Sequence, residues 1–318
     1  MILKPDKDGA FTISFLLLPE YAMVALLSAI EPLRVANRFA DRELFRWQLL
    51  SEDGSPVVAS NLLALQQTLA ICDVAAPLNL FVCSSFNPKD YIRDDTIAWL
   101  KKLNRGGSLI GAMDTGCYLL AAAGLLKKHK IALHWEAAPS FQEDYPELEL
   151  TNELFEVAHN LITCAGGTSA IDMMLYIIQA ELGHALAIKV CEQFIKSGIR
   201  QKSDKQRINL SARLKIYHPR LLRVLEKMEA NLESPLSTRD LAKYAHISVR
   251  QMERLFRSFL NDSPSGYYMK LRLERSRQLL KESSLSISEV RIICGFNSAP
   301  HFSRSYRKQF ACSPSEDR

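Results

Sequence analysis

The sequence predicts an α/β layered domain with a largely parallel sheet, followed by an all-α domain that holds two helix-turn-helix units. Three observations carry this. Short apolar runs of strand length alternate with helical patterns through residues 1–195, as in a sheet covered by helices on its faces. Charge divides along the chain: residues 211–318 hold 20 Lys+Arg against 11 Asp+Glu, whereas residues 1–195 hold 15 against 23. Within that basic third, a pattern of cap, short helix, turn, cap and second helix occurs twice. With 318 residues and 47% hydrophobic content, the chain can fill two separate cores. A basic third on an acidic remainder points to one polyanion-binding region, which the net charge of +5 conceals.

Taken in order, Phe11–Leu18 is a continuous apolar run, as expected of a strand buried on both faces. Pro19 ends it, and Tyr21–Phe39 continues with helical spacing. Further strand-like runs are Phe45–Leu50, Leu80–Ser84, Ser108–Met113, Lys130–His134 and Leu161–Ala165, with helical patterns at Tyr91–Asn104, Gly116–Leu126, Glu136–Tyr145 and Thr168–Phe194. The apolar stretch Phe11–Ile30 is interrupted by Pro19 and Glu20 and lacks a basic leader, so neither a signal peptide nor a membrane span is expected. Seven scattered cysteines, with no metal-like spacing, read as free thiols of a reducing, cytoplasmic protein. No metal and no cofactor are expected.

In such sheets ligands gather at the C-terminal strand ends, and two strand-to-helix junctions lie there. At the first, Asp114 and Thr115 stand where a strand stops and a helix begins, so the Asp114 side chain projects at the strand tip. Helix capping is an equally good reason for an Asp there. At the second, Gly166 and Gly167 precede Thr168 at a helix start, where backbone can approach an anion or simply make a tight turn.

Lys196–Leu210 is polar and basic with little periodicity, which suggests a linker. The expected division is residues 1–195, a linker at 196–212, and residues 213–318. After a helix at His218–Asn231, Ser237 with Asp240 and Ser248 with Gln251 have capping-box spacing around a short break. Met252, Leu255, Phe256 and Phe259 make the apolar stripe of the second helix. A long helix follows Ser263-Pro264. Ser286 with Glu289 then caps a helix that should stop near Gly295, and Ser298 caps the next, whose stripe is Phe302, Tyr306 and Phe310. Two tandem helix-turn-helix units with basic outer faces fit DNA major grooves.

Residues Arg254-Leu-Phe256, Leu271-Arg-Leu-Glu-Arg275, Cys294-Gly-Phe-Asn-Ser298, Phe302-Ser-Arg304 and Ser313-Pro314 resemble the DNA-binding domain of the AraC family. Ala121-Ala-Ala-Gly-Leu-Leu126 and Leu133-His-Trp135 resemble the flavodoxin-like PfpI domain of the class I glutamine amidotransferase-like superfamily. The nucleophile elbow departs from it: Asp114 stands where the family has its Cys, and Thr115 where it has His. Together these resemble the GlxA-type regulators, and most of all those controlling glycine betaine, carnitine and arginine catabolism. The resemblance implies a dimeric cytoplasmic activator, not an enzyme, that binds double-stranded DNA and recruits RNA polymerase when a small molecule is bound.

Carried over residue by residue, it places Arg250, Gln251, Glu253 and Arg254 of the first recognition helix and Ser298, Ala299, Pro300, His301, Ser303 and Arg304 of the second at the DNA, with Arg257, Arg307 and Lys308 on phosphates. Arg291 stands where the family has a small apolar residue. For the ligand site it suggests Asp114, Thr115, Glu31, Tyr21, His134, Trp135 and Thr168. A fixed carboxylate with aromatic neighbours suits a small cationic amine such as a betaine, with arginine as the alternative.

Overall fold

A computed structural model describes residues 2–66, 68–127, 129–283 and 285–318. The chain forms two compact units, Met1–Gln206 and Arg207–Arg318.

The first unit contains β1 (Phe11–Leu17), α1 (Met23–Ala40), β2 (Phe45–Ser51), β3 (Val57–Val58), β4 (Ala64–Leu65), β5 (Thr68–Ala70), β6 (Asn79–Ser84), α2 (Asp94–Arg105), β7 (Leu109–Asp114), α3 (Cys117–Ala122), β8 (Lys130–Ile131), α4 (Ala138–Asp144), β9 (Glu149–Leu150), β10 (Phe155–Ala158), β11 (Leu161–Cys164), α5 (Ser169–Leu182) and α6 (His184–Gln193). Seven strands form one sheet in the order β10-β11-β7-β6-β1-β2-β5. All pairs are parallel except β10 with β11.

Alternation of side chains along each strand divides the core in two. Ile13, Phe15, Leu17, Phe81, Cys83 and Met113 pack with α1, α5 and α6 on one face. Leu16, Leu18, Leu80, Val82, Ile110 and Ala112 pack with α2 and α3 on the other. Both faces being covered explains why the central strands are uninterrupted apolar runs. The sheet therefore brings the C-terminal ends of β1, β6, β7 and β11 together at one edge of the layer.

Several expectations are corrected. Lys130–His134 contributes only the two residues of β8, paired with β9 outside the main sheet; the edge beyond β11 is already held by β10. The pattern Thr168–Phe194 is two helices, parted at Gly183 (φ 93). The segment expected as linker belongs largely to the first unit. The fully buried Asp172 carboxylate draws it in, with Lys196 Nζ at 2.9 Å and Arg200 Nη2 at 2.7 Å. Removing one partner of such a buried charge is costly. Gln206 completes the attachment by donating to the Leu133 and Glu153 carbonyls at 3.0 and 2.9 Å.

The second unit is all helical: α7 (Leu210–Leu214), α8 (Pro219–Glu229), α9 (Thr238–Tyr244), α10 (Val249–Leu260), α11 (Pro264–Glu282), α12 (Ile287–Ile293) and α13 (Ala299–Phe310). One core joins α8, α9 and α10 through residues such as Leu221, Val224, Met252 and Phe256. A second joins α11, α12 and α13 through Leu273, Val290, Phe296, Phe302 and Tyr306. The capping boxes at Ser248/Gln251 and Ser286/Glu289 are both formed. Phe259, expected in the core stripe, is 46% exposed with its ring 5.9 Å from His218; it stands in the last turn of α10, which ends at Leu260.

Candidate nucleic-acid interface and ligand elbow

The first unit's candidate site is the turn at the end of β7. Asp114 takes left-handed backbone (φ 57), a conformation that costs an L-residue about 1–3 kcal/mol unless its surroundings hold it. Thr115 Oγ1 donates to the Ser85 carbonyl at 2.6 Å, which ties the turn to β6. Gly166 gives the turn room: a Cβ there would lie 2.8 Å from Asp114 Cβ. The glycine junction expected as a possible anion cradle is thus packed against a carboxyl group, which is the wrong neighbour for a second anion.

Asp114 is only 7% exposed. Burial pushes its carboxyl up to about 7, with Glu136 adding to the rise, while hydrogen bonds from Ser85 and the Thr115 backbone act the other way. Glu136 and Ser85 are members of the site that the sequence did not reveal, and neither carries a local signal. The Gly166 junction was visible in sequence, but its contact with Asp114 was not.

The other expected ligand residues separate into two groups. His134 and Trp135 share the Glu136 loop: His134 Nδ1 is 3.9 Å from Glu136 Oε2, the His134 and Trp135 rings are 5.7 Å apart, and Trp135 is 36% exposed. Burial lowers the His134 pKa, against the pull of Glu136. Thr168 follows the Gly166-Gly167 turn and accepts from Arg200 Nη2 at 3.3 Å. Tyr21 bridges to Ser85 but is fully buried, with its hydroxyl 3.7 Å from Met23 Sδ; it offers no open π face, because its ring serves the core. Glu31 is held by Arg34 at 2.7 Å on the exposed side of α1. Cys117 is fully buried, and burial pushes its thiol well above the usual range. A buried neutral thiol is not a nucleophile.

The second unit's candidate interface is built by two turns of the same type. In the first, the Ile247 and His246 N–H groups donate to the Ala242 and Lys243 carbonyls at 3.0 and 3.1 Å, with His246 left-handed (φ 53). In the second, Phe296 and Gly295 donate to Arg291 and Ile292 at 2.9 and 2.8 Å, with Gly295 left-handed (φ 74). These are Schellman closures, which satisfy the last carbonyls of α9 and α12. Arg291 is now explained: its guanidinium donates to the Phe296 carbonyl and braces the turn. Arg272 of α11 does more, donating to Cys294 O at 2.8 Å and Gly295 O at 2.6 Å while its guanidinium lies 4.0 Å from the Phe296 ring centroid.

Each turn delivers a recognition helix with one buried and one exposed face. On α10, Met252 and Phe256 are buried while Arg250, Gln251, Glu253, Arg254 and Arg257 are exposed, although the Gln251 amide oxygen is also spent on the cap. On α13, Phe302 and Tyr306 are buried, and Ala299, Pro300, His301, Ser303, Arg304, Arg307 and Lys308 are exposed after the exposed N-cap Ser298. Beside α10 an open groove is lined by Ser248, Arg250, Gln251, Glu253, Arg254, Arg257, Asp262 and Ser263.

Known proteins agree with both halves. Residues 241–318 match the family model described as "Helix-turn-helix domain". The chain is 46% identical over 304 residues to the HTH-type transcriptional regulator CdhR of Pseudomonas aeruginosa, spanning 96% of this chain and 90% of that one. It is 34% identical to the HTH-type transcriptional regulator GlxA of Rhizobium meliloti, spanning 99% and 97%. In fold it is similar to a THiJ/PfpI family protein from Pseudomonas syringae, at TM-score 0.51 and 19% identity over 74% of this chain and 89% of that one. A PfpI-like first unit and paired helix-turn-helix motifs in one chain place it in the GlxA-type branch of the AraC-family transcriptional regulators.

Proposed function

We propose that this regulator is an activator whose α10 and α13 read two successive major grooves, and whose first unit senses a small amine, through its cationic group, at the Asp114 elbow. The DNA reading is supported above all by the exposed faces of α10 and α13. Every residue expected at DNA is turned to solvent, and Met252, Phe256, Phe302 and Tyr306 between them are buried. Arg250 and Arg254 have the fork that fits guanine, Glu253 can accept from cytosine, and Ala299 and Pro300 can meet a thymine methyl. Arg257, Arg307 and Lys308 would take phosphates, which fix register. RNA polymerase is the partner an activator needs, and the reading carries a cytoplasmic homodimer with it.

The test is selection of bound duplexes from a random pool, followed by variants on the recovered site. Arg254→Ala or Arg304→Ala should each cost about 1–3 kcal/mol at that site and relax its sequence preference. Lys308→Ala should weaken all sequences evenly and flatten the salt dependence. An Arg304→Ala protein with unchanged affinity and preference sinks the assignment of α13.

For the ligand, the supporting observation is a buried carboxyl whose charge is opposed by its surroundings. A bound cation would supply the missing counter-charge. Ser84, the register partner of Asp114 on β6, adds a buried hydroxyl without a hydrogen-bond partner among the described residues. Thr115, Ser85, His134, Trp135 and Glu136 are the neighbours able to line the site, and a quaternary ammonium such as glycine betaine suits the carboxylates and the indole face. Calorimetry with glycine betaine, dimethylglycine, carnitine and arginine tests it. Silence from all four, or binding unchanged in Asp114→Asn, ends this reading.

A further inference from the structure

From the second N-cap onward the two helix-turn-helix units repeat each other at an offset of 50 residues: Ser248 and Ser298, Arg254 and Arg304, Phe256 and Tyr306, Ser263-Pro264 and Ser313-Pro314. Even the left-handed C-caps correspond, Asn261 (φ 51) with Ala311 (φ 61). After the first unit, Ser263-Pro264 opens the long helix α11. After the second, Ser313-Pro314 opens a single helical turn. In it the Glu316 and Asp317 N–H groups donate to the Ser313 carbonyl at 3.1 and 3.2 Å, and Glu316 accepts from the Ser313 N–H at 2.6 Å.

The same offset carries Tyr267 onto Asp317. Tyr267 sets its ring edge-on against Phe256 of the first recognition helix, centroids 5.8 Å apart. Asp317 meets the equivalent residue, Tyr306, through its carboxylate. Asp317 Oδ2 accepts from the Tyr306 hydroxyl at 2.9 Å and from Arg277 Nε at 2.7 Å. Asp317 Oδ1 accepts from Lys281 Nζ at 3.1 Å and Arg277 Nη2 at 3.3 Å. The carboxylate is 9% exposed. One group therefore ties two cations of α11, a helical turn apart, to the buried phenol of α13.

We propose that Asp317 is a positioning residue for DNA reading, a clasp that sets α13 on α11 and so aims its outer face into the groove. Tyr306 is the central residue of the buried stripe directly behind Ser303, Arg304 and Arg307, so a shift of Tyr306 against α11 would turn the helix face that carries those side chains. The first recognition helix needs no such ionic clasp, because its counterpart is an aromatic pair that continues into α11. Loss of Asp317 would leave two cations and a buried hydroxyl without their acceptor, and the second reader alone would loosen. The proposal rests on the reading that α13 enters a groove.

The test uses the full chain and the duplex recovered by selection, intact or with either half-site scrambled. Wild type should lose at least tenfold in affinity on scrambling either half. Asp317→Ala should lose at least tenfold on the intact duplex. It should also become indifferent to the second half-site while keeping the full penalty for the first. Tyr306→Phe, which keeps the ring and deletes one hydrogen bond, should move in the same direction by a smaller factor, and it serves where Asp317→Ala does not fold. Arg304→Ala is the control. If Arg304→Ala erases the second half-site's penalty and both clasp variants keep it, the clasp is overturned. If scrambling the second half-site costs nothing in wild type, or its penalty survives Arg304→Ala, the reading of α13 fails and takes the proposal with it. An equal loss at both half-sites in Tyr306→Phe also overturns it, as a general effect on folding.

Discussion

Asp114 and Gly295 both hold left-handed backbone (φ 57 and 74) at a turn between two regular elements, and they do so in different units. What differs is which partner gives up its side chain. At Gly295 the turn itself does: a Cβ would lie 2.7 Å from the Leu232 and Glu233 carbonyl oxygens and 2.8 Å from Pro235 Cδ. At Asp114 the neighbour does, because Gly166 is the residue without a Cβ where the two segments touch. The first arrangement spends its close packing on fixing a helix. The second spends it on keeping a carboxyl group buried at a strand tip. A left-handed turn is thus structural where it has no side chain, and a candidate for chemistry where its neighbour has made way for one.

This contrast can be broken by substitution, beginning with the largest effect. Asp114→Asn keeps the shape and the left-handed tolerance but removes the charge. The folded carboxyl is raised to about 7 from an ordinary 3.8, so the folded chain holds this proton more tightly than the unfolded one. Wild-type stability carries no charge penalty below pH ~4, and loses ground as pH rises toward 7, by about 4 kcal/mol in all. Denaturant titrations should show the Asn variant ahead by that order at about pH 8 and nearly level at about pH 4. A gap that does not change with pH would mean that the carboxyl titrates normally.

Gly295→Ala comes next, at about 3 kcal/mol of destabilisation, since positive φ and contact with fixed backbone act together. Thermal unfolding with DNA binding measured in parallel checks it. A cost under about 1 kcal/mol would show that α12 can shift to accommodate the methyl group. Arg272→Met tests the same turn from outside and should cost about 2 kcal/mol, because the Cys294 and Gly295 carbonyls lose their donor. The smallest effect belongs to His246→Gly in the first helix-turn-helix of the second unit. His246 already holds φ 53, so glycine there should change stability by less than about 1 kcal/mol and in the favourable direction. A large loss would mean that the imidazole has a task beyond the turn.

The parts of the fold legible in the sequence were those set within a few neighbours. Ser248 with Gln251 and Ser286 with Glu289 announce helix starts because both partners of the reciprocal cap lie three residues apart. The central strands β1, β6 and β7 are legible because burial on both faces removes polar interruptions. The edge strands β5 and β10 were not, being short and partly polar, as sheet edges tend to be. Lys196 and Arg200 looked like linker charges, since the Asp172 that binds them stands more than twenty residues earlier inside a helical pattern. The candidate site divides in the same way. The outward faces of α10 and α13 follow from helical periodicity alone, whereas Arg272, the Gly166 contact and the Glu136 carboxyl reach their targets from distant segments. Tyr21 was misread because an aromatic ring at a strand end looks the same in sequence whether it faces a ligand or the core.

The raised carboxyl of Asp114 has one more consequence. Burial holds this carboxyl protonated to a far higher pH than an exposed aspartate, so a cation that settled beside its charged form would favour release of the proton. Were the proposed cation to bind there, the elbow would act as an ion exchanger, with the organic cation entering and a proton leaving. Apparent affinity would strengthen with pH up to about 7 and level off above it, and the heat of binding would follow the ionisation enthalpy of the buffer that collects the proton. A regulator wired through such an exchange reports the ratio of its metabolite to the ambient acidity, and not the metabolite alone.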